Sequence, residues 1–219
     1  MLDPDGVVGL VVDWGGVLTA GIGEVVDRWT KQEGVSQTDY YAVLGEWIQP
    51  DGSGSVLINP IHELERGQLT VPQFEQKLAA ALTARNGVSY EPAGLLHRMF
   101  DFFDHAHDMV GLVHRAHTAG VRTALLSNSW GNTYPRGGWD DMFDVVVISG
   151  EVGMRKPEPR IFEFTLRELG LAPGQCVFVD DLRHNVAAAV DLGFVGLHHV
   201  DYDTTAAELE AIIGIPLRD

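Results

Sequence analysis

The chain has 219 residues, 45% of them hydrophobic, enough to bury the core of one large domain or of a domain carrying a smaller insertion. Lys and Arg number 15 against 31 Asp and Glu, a formal net charge of −16, and no Lys/Arg cluster supplies the basic face that a nucleic-acid binder uses. No apolar run approaches the roughly 20 residues of a membrane span and no signal peptide precedes the first one, so the expectation is a soluble, cytoplasmic protein without membrane or nucleic-acid partners.

The first predicted element is an apolar strand, Val7–Val12, interrupted by Gly9 and ending on Asp13, which is followed by Trp14, Gly15 and Gly16. A carboxylate at the carboxyl end of a buried strand, beside a turn that lets a ligand approach the main chain, suits a nucleophile or a metal ligand. A plain turn in which the Asp satisfies local amides would read the same way. From about Gly21 to about Asp104 the pattern is helical, with stretches at Val25–Gln32, Gln37–Trp47, Val71–Ala84 and Glu91–Phe103 and no convincing strand. Thr70 and Gln73 form a capping-box signal, and Asp51-Gly52-Ser53-Gly54-Ser55 is a flexible break. Inserted after the first strand, this block would sit over that strand's carboxyl end as a cap.

Beyond residue 105, strands and helices alternate. A helix over Asp108–Ala119 leads into the strand Arg122–Leu126, which runs into Ser127-Asn128-Ser129-Trp130. Val145–Ile148 is the next strand. Lys156 then lies in a loop, Gly153 to Pro159, that opens a helix over Pro159–Leu169. The strand Cys176–Val179 ends in Asp180-Asp181 and precedes an Ala-rich helix, Asn185–Leu192, and a last strand, Phe194–His198. Cys176, the lone cysteine, reads as a buried small hydrophobe. Valine-, isoleucine- and leucine-rich runs without alternation suit parallel strands covered on both faces. The expected fold is therefore α/β, a doubly wound, Rossmann-like parallel sheet with right-handed crossovers. Residues 1–20 and 105–219 would form the core domain and 21–104 the helical cap.

Four polar sites thus fall at strand ends or at a helix start. Ser127 offers a hydroxyl, Lys156 a cation suited to phosphate, and Asp180-Asp181 a pair whose mutual repulsion calls for a cation. Singly, each has an ordinary explanation as a cap residue or a solvated lysine. Together and in this order, Asp13-Trp14-Gly15-Gly16-Val17, Ser127, Lys156 and Asp180-Asp181 resemble the four motifs of the haloacid dehalogenase-like hydrolase superfamily. The insertion is similar to the cap of the subgroup that includes phosphoglycolate phosphatase and β-phosphoglucomutase. The Asp-Asp followed by Asn and an Ala-rich helix resembles the branch of the soluble epoxide hydrolase amino-terminal phosphatase and the glucose-1-phosphatases.

The resemblance implies a phosphomonoesterase acting on a small phosphorylated metabolite. Asp13 would be the nucleophile that becomes an aspartyl-phosphate. Ser127 would bond a phosphoryl oxygen and Lys156 would neutralise charge. Mg²⁺ would be held by Asp13, the Gly15 carbonyl and Asp181, with Asp180 ligating directly or through water. Trp14, Gly16 and Asn128 are candidate substrate contacts.

One position departs from the pattern. Most phosphatases of the superfamily carry a second Asp, the acid/base, two residues after the nucleophile, where this chain has Gly15. General acid–base help is typically worth ~10²–10⁴ in rate, so efficient turnover is in question while the metal site is untouched. A catalytically silent phospho-ligand binder is the alternative reading. A 2-haloacid dehalogenase, whose metal-free chemistry would leave the acidic pair poorly neutralised, ranks below it. Trp29, Tyr40, Tyr41, Trp47 and His62 in the cap are read as core before ligand contacts. The histidines between His97 and His117 match no zinc template.

Overall fold

The computed structural model describes residues 6–48, 59–131 and 134–218; the Asp51–Ser55 break lies outside them. Five parallel strands form one sheet: β1 (Gly9–Val12), β2 (Arg122–Ser127), β3 (Val145–Ile148), β4 (Cys176–Asp180) and β5 (Val195–His198), in the order β3-β2-β1-β4-β5. The chain winds outward from β1 through β2 to β3, then crosses to β4 and β5 on the other side. The switch point lies at β1, where an open α/β sheet forms its ligand crevice.

Side chains of β1 alternate between two cores, as the pleat requires. Leu10 and Val12 pack with Met109, Leu112 and Val113 of α6 (His107–Thr118) and Leu209 of α10 (Tyr202–Ile213). Val11 packs on the opposite face with Ile161, Phe162 and Leu166 of α8 (Pro159–Leu169) and Ala189 of α9 (Arg183–Asp191). Helices therefore cover both faces, which is why the strand sequences carry no polar alternation.

Between β1 and β2 lies the helical cap: α1 (Ile22–Glu33), α2 (Gln37–Ile48), α3 (Pro60–Glu65), α4 (Val71–Asn86) and α5 (Leu95–Phe100). It has an apolar cluster of its own, centred on Val25, Trp29, Tyr40, Phe74, Leu82 and Leu96. Trp29 and Tyr40 are fully buried there, edge to face at 5.2 Å, so these two aromatics are core. The two chain crossings between cap and sheet run side by side. An antiparallel bridge joins Thr19 to His105, with Ala20 N–H donating to the Asp104 carbonyl (2.8 Å) and Ala106 N–H to that of Leu18 (2.9 Å).

The expected helix over Glu91–Phe103 is shorter, confined to α5, because Gly94 at φ 76° holds its entry in the left-handed region. Three helices among the described residues have no counterpart in the sequence expectation: α3, the four-residue α7 (Ser149–Val152) and α10. α3 has six residues, too few to show a period, and is nucleated by Asn59, whose Oδ1 accepts from Ile61 N–H (2.9 Å). α10 follows the last strand and is capped by Asp201, which accepts from Thr204 N–H (2.8 Å). Among the described residues no helix is long and apolar enough to cross a membrane.

Candidate active site

Parallel register brings the separated motifs together. Val12 is level with Leu125 of β2 and Val179 of β4, so the next residue, Asp13, stands beside the ends of both neighbours. Asp13 N–H still donates to the Val179 carbonyl at 3.0 Å, which fixes its main chain as a continuation of the strand. β4 extends one residue past the sequence expectation, to Asp180, and β2 likewise to Ser127.

Lys156 is fully buried, not a solvated surface lysine, and its Nζ spans two carboxylates: Asp13 Oδ1 at 2.8 Å and Asp180 Oδ2 at 2.6 Å. Burial alone would lower the lysine pKa, but these two anions more than offset it and hold the ammonium charged. Asp13 Oδ1 also accepts from Trp14 N–H at 2.7 Å. Burial raises the Asp13 carboxyl to about 7, against the lowering effect of Lys156 and with further upward pressure from Asp180. Burial and then Asp180 raise Asp181 to about 6.

Asp180 is tightly held. Its Oδ1 accepts from Leu182 N–H (2.8 Å) and Asn185 Nδ2 (3.0 Å), and its Oδ2 from Lys156 and again from Asn185 (3.1 Å). Carboxylate oxygens of Asp13, Asp180 and Asp181 lie within 4.8 Å of one another. Three carboxylates facing one ammonium leave an excess of negative charge that one divalent cation would balance. Asn185 Oδ1 is buried and has no hydrogen-bond partner, a vacancy that a cation's bound water would fill. The donors are hard oxygens, the kind Mg²⁺ prefers. The residues present fit such an ion.

The candidate substrate contacts sort differently. Trp14 lines the cavity beside Asp13 and packs between Phe103 (centroids 5.2 Å) and Tyr134 (5.0 Å). Asn128 lines it too, yet its amide is committed to the main chain of Lys156: Oδ1 accepts from Lys156 N–H (2.8 Å) and Nδ2 donates to its carbonyl (3.0 Å). That geometry makes it a clamp on the lysine loop. Gly16, at φ 74°, faces Asp181 so closely that a Cβ would overlap the carboxylate, which gives it a packing role against the acidic pair. Gly15 differs: a Cβ there would meet only Phe103 Cε1, at 3.9 Å.

Sequence reasoning missed two polar members. Tyr134 bonds Ser127 Oγ at 2.9 Å, and burial raises its phenol to about 12. Asn132 and Thr133, which precede it, lie outside the described residues. Glu65, from α3, enters the cavity wall buried and ion-paired to Arg155, with Trp130 Nε1 donating to it at 3.2 Å. No local signal marks Glu65, because its environment is made by a contact across 90 residues. His62, Trp29, Tyr40 and Trp47 are not among the described residues that line this cavity.

A family model described as haloacid dehalogenase-like hydrolase matches residues 7–193. The chain belongs to that family. Acyl-CoA dehydrogenase family member 10 of Mus musculus is 29% identical to this hydrolase over 219 residues, covering 95% of this chain and 19% of its own length. A sesquiterpene phosphatase of Aspergillus oryzae is 39% identical over 74 residues, covering 34% of this chain and 38% of its own. The chain thus spans about a fifth and about two-fifths of these two relatives. In structure it is similar to a family enzyme from Bacteroides thetaiotaomicron solved with magnesium and inorganic phosphate, with a TM-score of 0.61 and 21% identity over 89% of this chain and 95% of that one. At that identity the likeness concerns the fold.

Proposed function

We propose that this hydrolase is a Mg²⁺-dependent phosphomonoesterase that works through an aspartyl-phosphate on Asp13. The carrying observation is the convergence of Asp13, Asp180 and Asp181 within 4.8 Å around one buried lysine at the switch point of the sheet. The phosphatase activity in one relative's name, and the magnesium and phosphate bound to the structural neighbour, support the reading. On this reading residues 1–20 and 105–219 are the catalytic core, and 21–104 the cap that closes over it.

Asp13 Oδ1 is held by Trp14 N–H and Lys156. That leaves Oδ2 to attack phosphorus in line with the departing alcohol oxygen. The phosphorus–oxygen bond to the alcohol breaks, and the electron pair leaves with the alkoxide, which takes a proton from a water molecule. The hydroxide so formed attacks phosphorus, the bond from phosphorus to Asp13 Oδ2 breaks, and inorganic phosphate leaves with the Asp13 carboxylate regenerated. Lys156 and the Ser127 hydroxyl would bind phosphoryl oxygens, with Tyr134, hydrogen-bonded to Ser127, orienting the serine. When bound, Mg²⁺ on Asp13, Asp181 and the Gly15 carbonyl supplies electrostatic stabilisation of the phosphoryl group. Asp180, saturated by its donors, positions Lys156 and would meet the ion directly or through water.

The test is hydrolysis of an aryl phosphate by the wild type and by Asp13→Asn. Slow turnover that excess chelator abolishes, and that the variant loses by at least about 10³-fold, is the expected result for a missing nucleophile. Equal rates in chelator would overturn the reading. Binding of phosphate ligands without turnover would leave a phospho-ligand-binding protein instead.

A further inference from the structure

The site's phosphoryl end is polar, but the cavity that must hold the rest of the substrate is not. Among the described residues, its wall away from Asp13 is built by Ile22, Met99, Phe100, Phe103, Trp130 and Leu182. Among the described residues, Glu65 is the charged side chain that the inserted helices bring to this cavity, and it is engaged at both carboxylate oxygens: Oε1 accepts from the Trp130 indole and Oε2 pairs with Arg155. The Asn128 amide is engaged at both ends by the Lys156 main chain. The Ser127 and Tyr134 hydroxyls bond each other at 2.9 Å, beside the nucleophile. Among the described residues, these four polar side chains of the cavity are therefore already partnered, and the unpartnered Asn185 Oδ1 belongs to the acidic cluster, where Asn185 Nδ2 donates to Asp180.

We propose that the substrate is the monophosphate of a small, uncharged, mostly hydrocarbon alcohol, aryl or short branched-chain, rather than of a sugar, polyol or nucleoside. The proposal rests on the phosphomonoesterase reading of the same site. Each hydroxyl of a polyol entering this space would exchange water for hydrocarbon and go unpaired. A second phosphate would meet the Glu65 carboxylate. The cavity volume of about 190 Å³ lies below the ~300 Å³ at which drug-sized ligands are accommodated, which limits the alcohol to a few carbons beyond the phosphate. The absence of a side chain at Gly15 fits the same picture. A Cβ there would point at Phe103, so the space that an acid/base residue would fill is bordered by an aromatic ring. An aryl alcohol, being a better leaving group than a sugar hydroxyl, needs least help from a protonating residue.

Two measurements on the wild-type protein with Mg²⁺ separate this inference from the reading beneath it. The first compares kcat/KM for phenyl phosphate and a five-carbon alkenyl monophosphate with that for glycerol 3-phosphate and glucose 6-phosphate. A preference for the hydrocarbon substrates of about tenfold to a hundredfold is expected, the scale on which an apolar pocket rejects an added hydroxyl. The second is calorimetric binding of phenylphosphonate against a dihydroxybutylphosphonate, which needs no turnover. Tighter binding of the aryl compound without hydrolysis of any phosphate would sink the phosphatase reading and leave the ligand class standing. Turnover of all four substrates at similar kcat/KM, or binding that favours the diol or neither phosphonate, would overturn the ligand class. In Ile22→Asn, a half-exposed position at the cavity's lip, the hydrocarbon-to-polyol ratio should narrow several-fold. A ratio, unlike a rate, does not depend on the fraction folded; an unmoved ratio would count against the proposal.

Discussion

Gly15 adopts a backbone conformation open to any residue and has room beyond its Cα, with Phe103 Cε1 at 3.9 Å as the nearest atom to a Cβ built there. Gly15→Asp should therefore fold and supply the proton donor that relatives place at this position. The expected outcome is a rise in kcat of about tenfold to a hundredfold on an alkyl phosphate, within the usual range for general acid catalysis. An unchanged kcat would mean that another group already protonates the alcohol. The acidic cluster carries a second prediction. Without metal, burial holds Asp13 near about 7 and Asp181 near about 6. In the unfolded chain both ionise close to pH 4, so between about pH 4 and 7 the folded protein binds more protons and loses stability as pH rises. A bound divalent cation favours the ionised carboxylates and removes that slope. Melting temperatures measured in chelator and in millimolar Mg²⁺ should therefore diverge as pH rises from 5 to 7 and beyond, with Mg²⁺ the more stabilising at high pH. A constant gap between the two curves would contradict this.

The smallest cap element does the most at the seam. α3 carries Glu65 and ends at Arg66, and the two pair with Arg155 and Glu158 of the loop that holds Lys156. Ser149 Oγ also donates to the Glu65 carbonyl at 2.5 Å, and Gly67, at φ 67°, leaves space for the Gly150 carbonyl that a Cβ would overlap. The inserted helices and the Lys156 loop are thus joined by buried and part-buried polar contacts. Asn59, which accepts from Ile61 and His62 N–H, holds the start of this helix. Asn59→Ala should cost about 1 kcal/mol of stability by loss of the cap, read as a lower denaturation midpoint with unchanged slope. It should also raise KM by loosening the wall that Glu65 anchors. A stability loss with unaltered KM would mean that α3 is held by the seam contacts alone. Elsewhere, boundaries were legible wherever a local stop existed. Pro159 and Gly170 bracket α8 as expected, while α3, with six residues, offers no period to detect.

For the molecule as a whole, the excess of acidic residues makes a net charge of −16. On the proposed function an anionic phosphomonoester would approach against that field, and Lys156 is the cationic side chain among the described residues that line the cavity. Raising ionic strength from about 10 mM to about 150 mM shortens the screening length from ~30 to ~8 Å and should relieve the repulsion. The expected outcome is a several-fold rise in kcat/KM for a phosphomonoester dianion, with kcat little changed. A fall in kcat/KM with salt would show that local positive potential dominates capture.

The sequence by itself determined the five strands, the covering helices α6, α8 and α9 and the four polar positions, because strand runs, glycine stops and residues at strand ends are local properties of the chain. Asp13, Ser127, Lys156 and Asp180 could be named from such signals. What each is bonded to was decided only by tertiary structure. Register across three parallel strands sets Asp13 beside Asp180, folding buries Lys156 between them, and the Asn128 amide turns to the lysine's main chain. Gly16 became a packing contact for the same reason. Glu65, Ile22, Met99 and Phe100 come from helices of the insertion that meet the sheet only in the folded chain. Contacts across tens of residues, whose free energy belongs to the packed state, leave no periodic trace in the chain.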